Sequence, residues 1–253
     1  MKLIFLGSGS AFAPFGNYQS NMILQSKSGK NLLLDCGSDA RRSLNEQGYS
    51  HNDIHDVYIS HLHADHVGGL EWLAFATKFD QKCQKPLIHA AADVLDDLWE
   101  KTLSGGLSSL QGINADIHSY FNTNPVAANS YFTWSNIQFH IIQTVHVISG
   151  YTIMPAYGLL FTVNNTTIFI TMDTQLVHFY MDSIYQKADI IFHDCETSPC
   201  KSGVHAHYSE LRELPSEIKR KMWLYHYNCE LLPDCKQDGF AGFVTKGQCF
   251  DFS

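Results

Sequence analysis

The sequence has no long apolar run. A membrane-spanning helix needs about 20 consecutive apolar residues, and no stretch of the 253 residues approaches that length. The first residues, MKLIFLGSGSAF, contain one lysine and an apolar run of four, which is shorter than the apolar core of a signal peptide. We therefore expect a cytoplasmic protein without a membrane segment.

Positive charge is also scarce. The chain has 17 Lys and Arg residues against 25 Asp and Glu residues, a net charge of -8, and its one short basic segment is IKRKM, Ile218–Met222. This balance disfavours a binding mode built on neutralising nucleic-acid phosphates. With 45% hydrophobic and 13% aromatic residues, we expect a globular protein that buries a sizeable core.

Neither paired cysteines nor flexible linkers are present. The seven cysteines are scattered, odd in number and without a CxxC pair, so the sequence indicates neither a disulfide framework nor a thiolate zinc site. No repeat, low-complexity segment or linker rich in proline, glycine and serine divides the chain. We expect one domain that spans residues 1–253.

What the sequence does contain is an alternation of strand-like and helix-like segments. Short apolar runs bounded by turn residues indicate strands, and helix-like segments lie within 39–47, 68–79 and 94–103. From about Tyr131 strands dominate, and Asn164–Asn165 has the composition of a hairpin turn. This pattern predicts an α/β fold in which two sheets pack face to face with helices outside, an αββα sandwich.

Polar side chains recur where the apolar strands end. If several strand ends meet at one edge of the sandwich, these side chains share a single cleft. Taken alone, His146 or His226 is more typical of a satisfied core or surface histidine than of a metal ligand. The residues at the predicted strand ends are Asp35, His61, His146, Asp173, Asp194 and His226.

The densest group of polar side chains lies in ISHLHADHVGG, Ile59–Gly69. It places His61, His63, Asp65 and His66 within six positions, directly after a buried strand. Without a cation, their charges and lone pairs would crowd together uncompensated. Imidazole and carboxylate ligands together suit zinc, and also manganese or iron. The segment therefore predicts a divalent metal site.

The segment HLHADH resembles the HxHxDH motif of the metallo-β-lactamase superfamily. Asp35 upstream and His146, Asp173 and His226 downstream follow in the order of that superfamily, so the resemblance covers nearly the whole chain. The opening FLGSGSAFAP, the complete second-metal ligand set and TMDT resemble the phosphodiesterase branch. That branch contains ribonuclease Z and small cyclic-nucleotide phosphodiesterases.

The resemblance implies a dinuclear site that holds two divalent metal ions, with zinc expected first and manganese or iron as alternatives. It also implies that Asp35 supports the histidine loop without binding metal, that Asp65 belongs to the catalytic residues, and that the protein forms a homodimer. The implied ligands are His61, His63 and His146 for the first metal, Asp65, His66 and His226 for the second, and Asp173 as the bridge.

A proton donor for the leaving group is expected in FHDCETSPCKSGVHAHYSEL. Relatives of ribonuclease Z carry an acidic residue and a downstream histidine in HEAT and HST patterns, where this chain reads HDCE and HAHYSE. By resemblance, Asp194 takes the place of the acidic residue and His207 that of the histidine, with His205 as the second choice. Two plain loop histidines are the alternative.

The function that these residues favour is hydrolysis of a small phosphodiester, such as a 3′,5′-cyclic nucleotide, by a metal-bridging hydroxide. A tRNA 3′-processing endonuclease of the ribonuclease Z type is disfavoured by the net charge. A thioester, lactone or β-lactam hydrolase and a binding protein remain further alternatives. Tyr151, Tyr157, Trp72 and Trp134 are candidates to stack on a nucleobase, although aromatic residues at this frequency mainly form core.

Overall fold

The structure is a computed structural model that describes residues 1–14, 16–177 and 181–252. Its first part contains short helices between strands. The α-helices are α1 Ala40–Glu46, α2 Ala64–Val67, α3 Leu70–Phe79, α4 Ala92–Asp97 and α5 Ser104–Leu107, with a π-helical turn at Leu98–Leu103 and 3-10 turns at His51–Asp53 and Ile117–Ser119. The strands are β1 Lys2–Phe5, β2 Met22–Gln25, β3 Asn31–Leu34, β4 Asp56–Ile59, β5 Leu87–Ala91, β6 Ser109–Leu110, β7 Ile113–Asn114 and β8 Asn122–Val126.

The second part is richer in strands. Its helical segments are a π-helical turn at Met181–Tyr185, α6 Tyr208–Leu211 and α7 Ser216–Lys219. Its strands are β9 Tyr131–Trp134, β10 Ile137–Gln143, β11 Ile148–Ser149, β12 Thr152–Ile153, β13 Tyr157–Val163, β14 Thr166–Ile170, β15 Ile190–Asp194, β16 Met222–Tyr225, β17 Gly242–Phe243 and β18 Cys249–Asp251.

Two large mixed sheets form the centre of the molecule. In the described residues the first has the order β18-β1-β2-β3-β4-β5-β8, and the second has the order β17-β16-β15-β14-β13-β10-β9. Phe5 of the first sheet and Phe192 of the second lie with ring centroids 5.3 Å apart inside one core. The predicted α/β fold, with two mixed sheets and helices, is confirmed.

Burial of whole strands explains where the polar residues sit. All four residues of β3 are buried, as are the last three of β4, because the interior strands of a sheet covered on both faces have no solvent side. A polar ligand therefore cannot lie within these strands without a partner. It can lie immediately after them, where the backbone leaves the sheet.

Sequence patterns missed both edge strands of the first sheet. Strand β8, NTNPV, contains one proline and two asparagines and pairs with β5 on one side only, as expected for a strand at a sheet edge. Strand β18 pairs with β1 from the far end of the chain. Between β13 and β14, Asn164 and Asn165 have φ values of 47° and 65° and form the predicted hairpin turn.

No helix within residues 1–14, 16–177 and 181–252 combines the length and the apolar character that crossing a bilayer requires.

Candidate metal centre

The first sheet contributes the histidine-rich loop. Strands β3 and β4 run parallel, with Leu34 opposite Tyr58, so the residues that follow them emerge at the same edge. Asp35 follows β3, and His61 and His63 follow β4, just before α2. The short helix α2 then turns the next two polar side chains of the motif back toward this edge.

The second sheet contributes the remaining side chains from its own parallel strands. Strands β14, β15 and β16 are parallel neighbours, so Asp173, Asp194 and His226 all stand at their carboxyl ends. His146 follows β10, which runs in the same direction as β14 because β13 lies between them and is antiparallel to both. The structure thus brings the six predicted strand-end residues and the histidine motif to one edge of the sandwich.

Three imidazoles converge on one point. His63 Nδ1 lies 3.1 Å from His61 Nε2 and 3.1 Å from His146 Nε2. Asp173 Oδ2 completes the group, 3.7 Å from His61 Nε2 and 3.6 Å from His146 Nε2. Nitrogen ligands at tetrahedral angles around zinc would be about 3.3 Å apart. These spacings therefore match a cation-sized site.

A second group of ligand atoms shares Asp173 with the first. His66 Nε2 lies 3.3 Å from Asp65 Oδ2 and 3.3 Å from Asp173 Oδ2. His226 Nε2 lies 3.3 Å from Asp173 Oδ2 and 3.8 Å from Asp65 Oδ2. Since Asp173 Oδ2 borders both groups, a carboxylate at this position suits a bridge between two cations.

Hydrogen bonds on the outer side fix the orientation of these rings. His146 Nδ1 donates to the carbonyl oxygen of Val204 at 2.8 Å, and His226 Nδ1 lies 2.8 Å from Ser20 Oγ. A ring that donates through Nδ1 keeps the lone pair of Nε2 free for a metal. Nothing in the sequence placed Ser20 at the site, because a single serine outside any motif does not indicate a function.

Asp35 is the hub of the outer hydrogen bonds. Its carboxylate accepts from the backbone and side chain of Ser60 at 2.8 and 2.7 Å and lies 2.7 Å from His66 Nδ1. Because Ser60 Oγ donates to Asp35, it is left to accept from His61 Nδ1 at 3.0 Å. One buried carboxylate thereby orients a ring in each ligand group, which agrees with the supporting role that the resemblance implies.

The backbone beside the ligands adopts an unusual conformation. Asp35, Met172 and His226 have φ values of 59°, 50° and 66°, in the left-handed region that non-glycine residues seldom occupy. Met172 directly precedes Asp173. Such conformations cluster at functional sites, where surrounding contacts hold them in place. Here they turn side chains sharply from a strand end into the cleft.

Charges in the cleft strongly perturb proton binding. Burial alone would raise the pKa of Asp173, but the neighbouring imidazoles, His226 foremost, hold it well below its ordinary value. Burial alone would lower the pKa of His66, but the surrounding carboxylates, Asp173 foremost, raise it well above its ordinary value. The second group therefore stabilises positive charge among its carboxylates.

Unpartnered atoms provide a test of whether metals fit. Within the described residues, His66 Nε2 and Asp173 Oδ1 are buried side-chain atoms without a hydrogen-bond partner. Burying such atoms without compensation costs roughly 1–3 kcal/mol each. Divalent cations would satisfy these atoms, and the imidazole and carboxylate donors are those that zinc, manganese and iron accept. The residues present thus fit two divalent metal ions.

The structure distinguishes the two histidines proposed as proton donors. His205 lines the same cavity as the metal ligands, and its Nδ1 lies 2.7 Å from Asp194 Oδ2. Burial alone would lower the pKa of His205, but the carboxylate of Asp194 leads the effects that raise it to about 9. His205 thus lies on the cavity that the ligand groups line, where a proton donor would have to be.

His207 lies outside this cavity. Its Nε2 lies 2.9 Å from the carbonyl oxygen of Ser198, and its Nδ1 lies 2.8 Å from Ser209 Oγ at the start of α6. Both ring nitrogens of His207 therefore form hydrogen bonds within the neighbouring loop and at the start of α6. Of the two histidines, the structure places His205 on the cavity and His207 in the neighbouring loop.

A cavity of about 350 Å³ opens over the two ligand groups. Besides the predicted residues, it is lined by Phe12, Glu196, Ser202 and Asn228. Glu196 Oε2 accepts from the backbone and side chain of Ser202 at 2.9 and 3.0 Å. The segments FLGSGSAFAP and FHDCETSPCKSGVHAHYSEL contain Phe12, Glu196 and Ser202, but sequence reasoning did not single out these residues, because their approach to the cleft depends on loop conformation.

The comparisons with known proteins agree with this geometry. The family model described as Anti-Pycsar protein Apyc1 matches residues 1–250. An Anti-Pycsar protein Apyc1 of Paenibacillus harenae is 34% identical over 232 residues, which cover 90% of each chain.

Two solved structures share the fold. The metallo-β-lactamase fold protein YhfI of Bacillus subtilis is 18% identical, with a TM-score of 0.75 and 98% of each chain covered. The short form of human tRNase Z is 18% identical, with a TM-score of 0.69 and 100% of each chain covered. The expected metallo-β-lactamase fold and the expected class of function, a metal-dependent phosphodiesterase, are confirmed. The chain belongs to the Anti-Pycsar protein Apyc1 family and is a hydrolytic enzyme of the metallo-β-lactamase fold.

Proposed function

We propose that this enzyme hydrolyses 3′,5′-cyclic nucleotides at a dinuclear centre that holds zinc. The observation that carries the proposal is the pair of ligand groups that share Asp173 at the floor of a cavity of about 350 Å³. A cavity of this volume falls in the range that small-molecule sites occupy. A cyclic nucleotide is small enough to bring its phosphodiester to such a floor.

In this proposal each ligand group holds one metal ion. Two adjacent divalent ions, when bound, would lower the pKa of a water and neutralise charge on a phosphodiester. Asp173 would belong to both ligand groups, and Asp35 fixes the orientation of two rings. The proposed ligands are His61, His63 and His146 for one ion and Asp65, His66 and His226 for the other.

His205 is the proposed proton donor to the leaving ribose oxygen. Asp194 Oδ2 accepts from the backbone of Thr174 at 2.9 Å as well as bonding to His205 Nδ1, so the carboxylate is held from two sides. The carboxylate of Asp194 favours the imidazolium form of His205, which holds one proton on Nδ1 toward Asp194 and a second on Nε2 that it can donate to the leaving oxygen. Asp194 is then a positioning residue, and His205 is the catalytic one.

Two alternatives have less support. A net charge of -8 opposes tRNA docking, and the short hairpins β6–β7 and β11–β12 contain no lysine or arginine that could grip a phosphate backbone. A thioester, lactone or β-lactam hydrolase of this superfamily often replaces a second-metal ligand, whereas every ligand position is filled here.

The test is hydrolysis by purified protein of known metal content. The substrates are the 3′,5′-cyclic nucleotides of all four bases, a precursor tRNA and an activated aryl phosphodiester, with His63→Ala as the control for contaminating activity. Cyclic-nucleotide turnover that disappears in the control supports the proposal. Cleavage of the precursor tRNA alone would contradict it, and so would turnover of a thioester or lactone without any diester.

A further inference from the structure

The cavity over the ligand groups has one aromatic side chain on its wall. Residues 10–12, on the loop between β1 and β2, line this wall. Among the described residues that line the cavity, Phe12 is the one Phe, Tyr or Trp. Its side chain is 85% exposed, although burying a phenylalanine side chain contributes roughly 1.5–3 kcal/mol. An exposed ring at this position is therefore available for a ligand.

The loop that carries the ring is tied to the metal centre. Ser10 N donates to the carbonyl oxygen of Tyr227 at 3.0 Å, and Gly9 N donates to that of Tyr18 at 3.0 Å. Phe12 N lies 3.2 Å from Ser10 Oγ. Tyr227 directly follows a residue of the second ligand group, so these bonds fix the wall relative to the floor. Phe12 is therefore exposed on a loop that hydrogen bonds hold in place.

The lining of the cavity combines side chains of different chemistry. Besides Phe12 it contains polar groups: Ser202, His205 and the carboxylate of Glu196. The floor is a set of metal ligands suited to a phosphate. A ligand that fits all three surfaces has an anionic group, a polar middle and a flat apolar face, which is the chemistry of a nucleotide.

We propose that Phe12 is a specificity residue whose ring stacks on the nucleobase of the substrate. The inference rests on the proposed cyclic-nucleotide activity and adds the means by which the base is recognised. Because every base has a π-face, stacking on a ring accepts all four bases. Phe12 should thus favour nucleoside diesters over diesters that lack a base, and it should discriminate weakly among bases.

The aromatic residues that the sequence suggested for this role lie elsewhere. Tyr157 is 1% exposed and Trp134 is 4% exposed, so their rings belong to the core. Trp72 lines a groove beside α1, and Tyr151 stands on the β11–β12 hairpin. None of these residues lines the cavity over the metal ligands.

The experiment compares a base-bearing substrate with a base-free one. The metal-loaded enzyme is assayed with 3′,5′-cyclic AMP and with 1-deoxyribose 3′,5′-cyclic phosphate, which keeps the reacting ring and lacks the base. In Phe12→Ala we expect kcat/KM for cyclic AMP to fall about 10- to 100-fold, mainly through KM. The value for the base-free substrate should stay within about twofold of wild type.

Three further variants test whether an aromatic ring at position 12 is required. Phe12→Trp should restore preference for the base, and Phe12→Leu should not, because the latter keeps an apolar side chain without a ring. Phe79→Ala removes another exposed phenylalanine, 68% exposed and on α3 outside the cavity, and should behave like wild type.

Three results would overturn the inference. Unchanged kcat/KM values for both substrates in Phe12→Ala would remove the stacking role while the proposed function stands. Equal losses on both substrates would mean that Phe12 acts on the loop or on a subunit contact instead of the base. A wild-type enzyme that is fully metal-loaded and turns over neither substrate would refute the proposed function and the stacking role together.

Discussion

Two buried histidines in this protein, His89 and His66, differ in whether both ring nitrogens have a hydrogen-bond partner. His89, at 2% exposure on β5, uses both ring nitrogens: Nε2 lies 3.0 Å from Asp56 Oδ1, and Nδ1 accepts from Asn124 Nδ2 at 2.9 Å. His66, also at 2% exposure, bonds Asp35 through Nδ1 while its Nε2 has no hydrogen-bond partner in the described part of the chain.

The difference separates a structural histidine from a candidate ligand. Burial and a carboxylate neighbour are common to both, so neither identifies a metal site. What marks the cleft is a free imidazole nitrogen that converges with carboxylate oxygens at spacings of 3.3 Å. A larger cavity, about 700 Å³, adjoins His89 and Asp56, yet it lacks such convergence. Volume is therefore a poorer guide to this active site than unsatisfied ligand atoms are.

The most severe loss is expected from Asp173→Ala, because this carboxylate borders both ligand groups. Activity on cyclic nucleotides should fall at least about 10³-fold, together with loss of bound metal, measured by metal analysis and hydrolysis rates. Asp56→Ala, beside the structural histidine, is the matched control and should retain metal. Full metal occupancy in Asp173→Ala would remove its bridging role.

A smaller loss is expected from His205→Gln. The variant should keep both metals and lose about 10²-fold in kcat on cyclic nucleotides, because the leaving ribose oxygen then lacks a proton donor. An aryl diester with a good leaving group should be affected much less. His207→Gln is the control and should remain near wild type. Equal losses on both diesters would argue against proton donation by His205.

A still smaller effect is expected from Asp35→Asn. The asparagine keeps an acceptor for the Ser60 backbone and tolerates the φ of 59° at this position. Loss of the carboxylate should weaken metal binding by about 10- to 100-fold, measured by competition with a chelator of known affinity. Unchanged affinity would mean that the ring orientations do not depend on this charge.

The smallest effect on activity is expected from His89→Gln. Its two hydrogen bonds lie within the first sheet, so the free energy of unfolding should fall by about 1–2 kcal/mol while hydrolysis stays within about twofold. Urea denaturation of the metal-loaded protein measures the first quantity. His66→Gln is the contrasting variant and should lose metal. Loss of metal in His89→Gln would contradict the assignment of His89 as a structural histidine.

Much of the candidate site was predictable because it lies on local patterns. Apolar runs in the sequence indicate buried strands, and Asp35, Asp173 and His226 directly follow such runs. The motif HLHADH can be recognised from six consecutive residues. The short edge strands β8 and β18 escaped prediction because their stability comes from pairing with distant segments, and their own composition is polar or too brief to stand out.

By itself the sequence determined the fold class and the histidine-rich metal motif, because strand periodicity and the crowding of histidines are properties of contiguous residues. The resemblance of the motif and the residues around it to a known superfamily added the ligand order and the class of chemistry. Only the tertiary structure placed His205, and not His207, beside the ligand groups, and only it brought Phe12 to the cavity above them. Both depend on how loops cross from one sheet to the other. Such long-range geometry is set by packing and hydrogen bonds between segments that are remote in sequence.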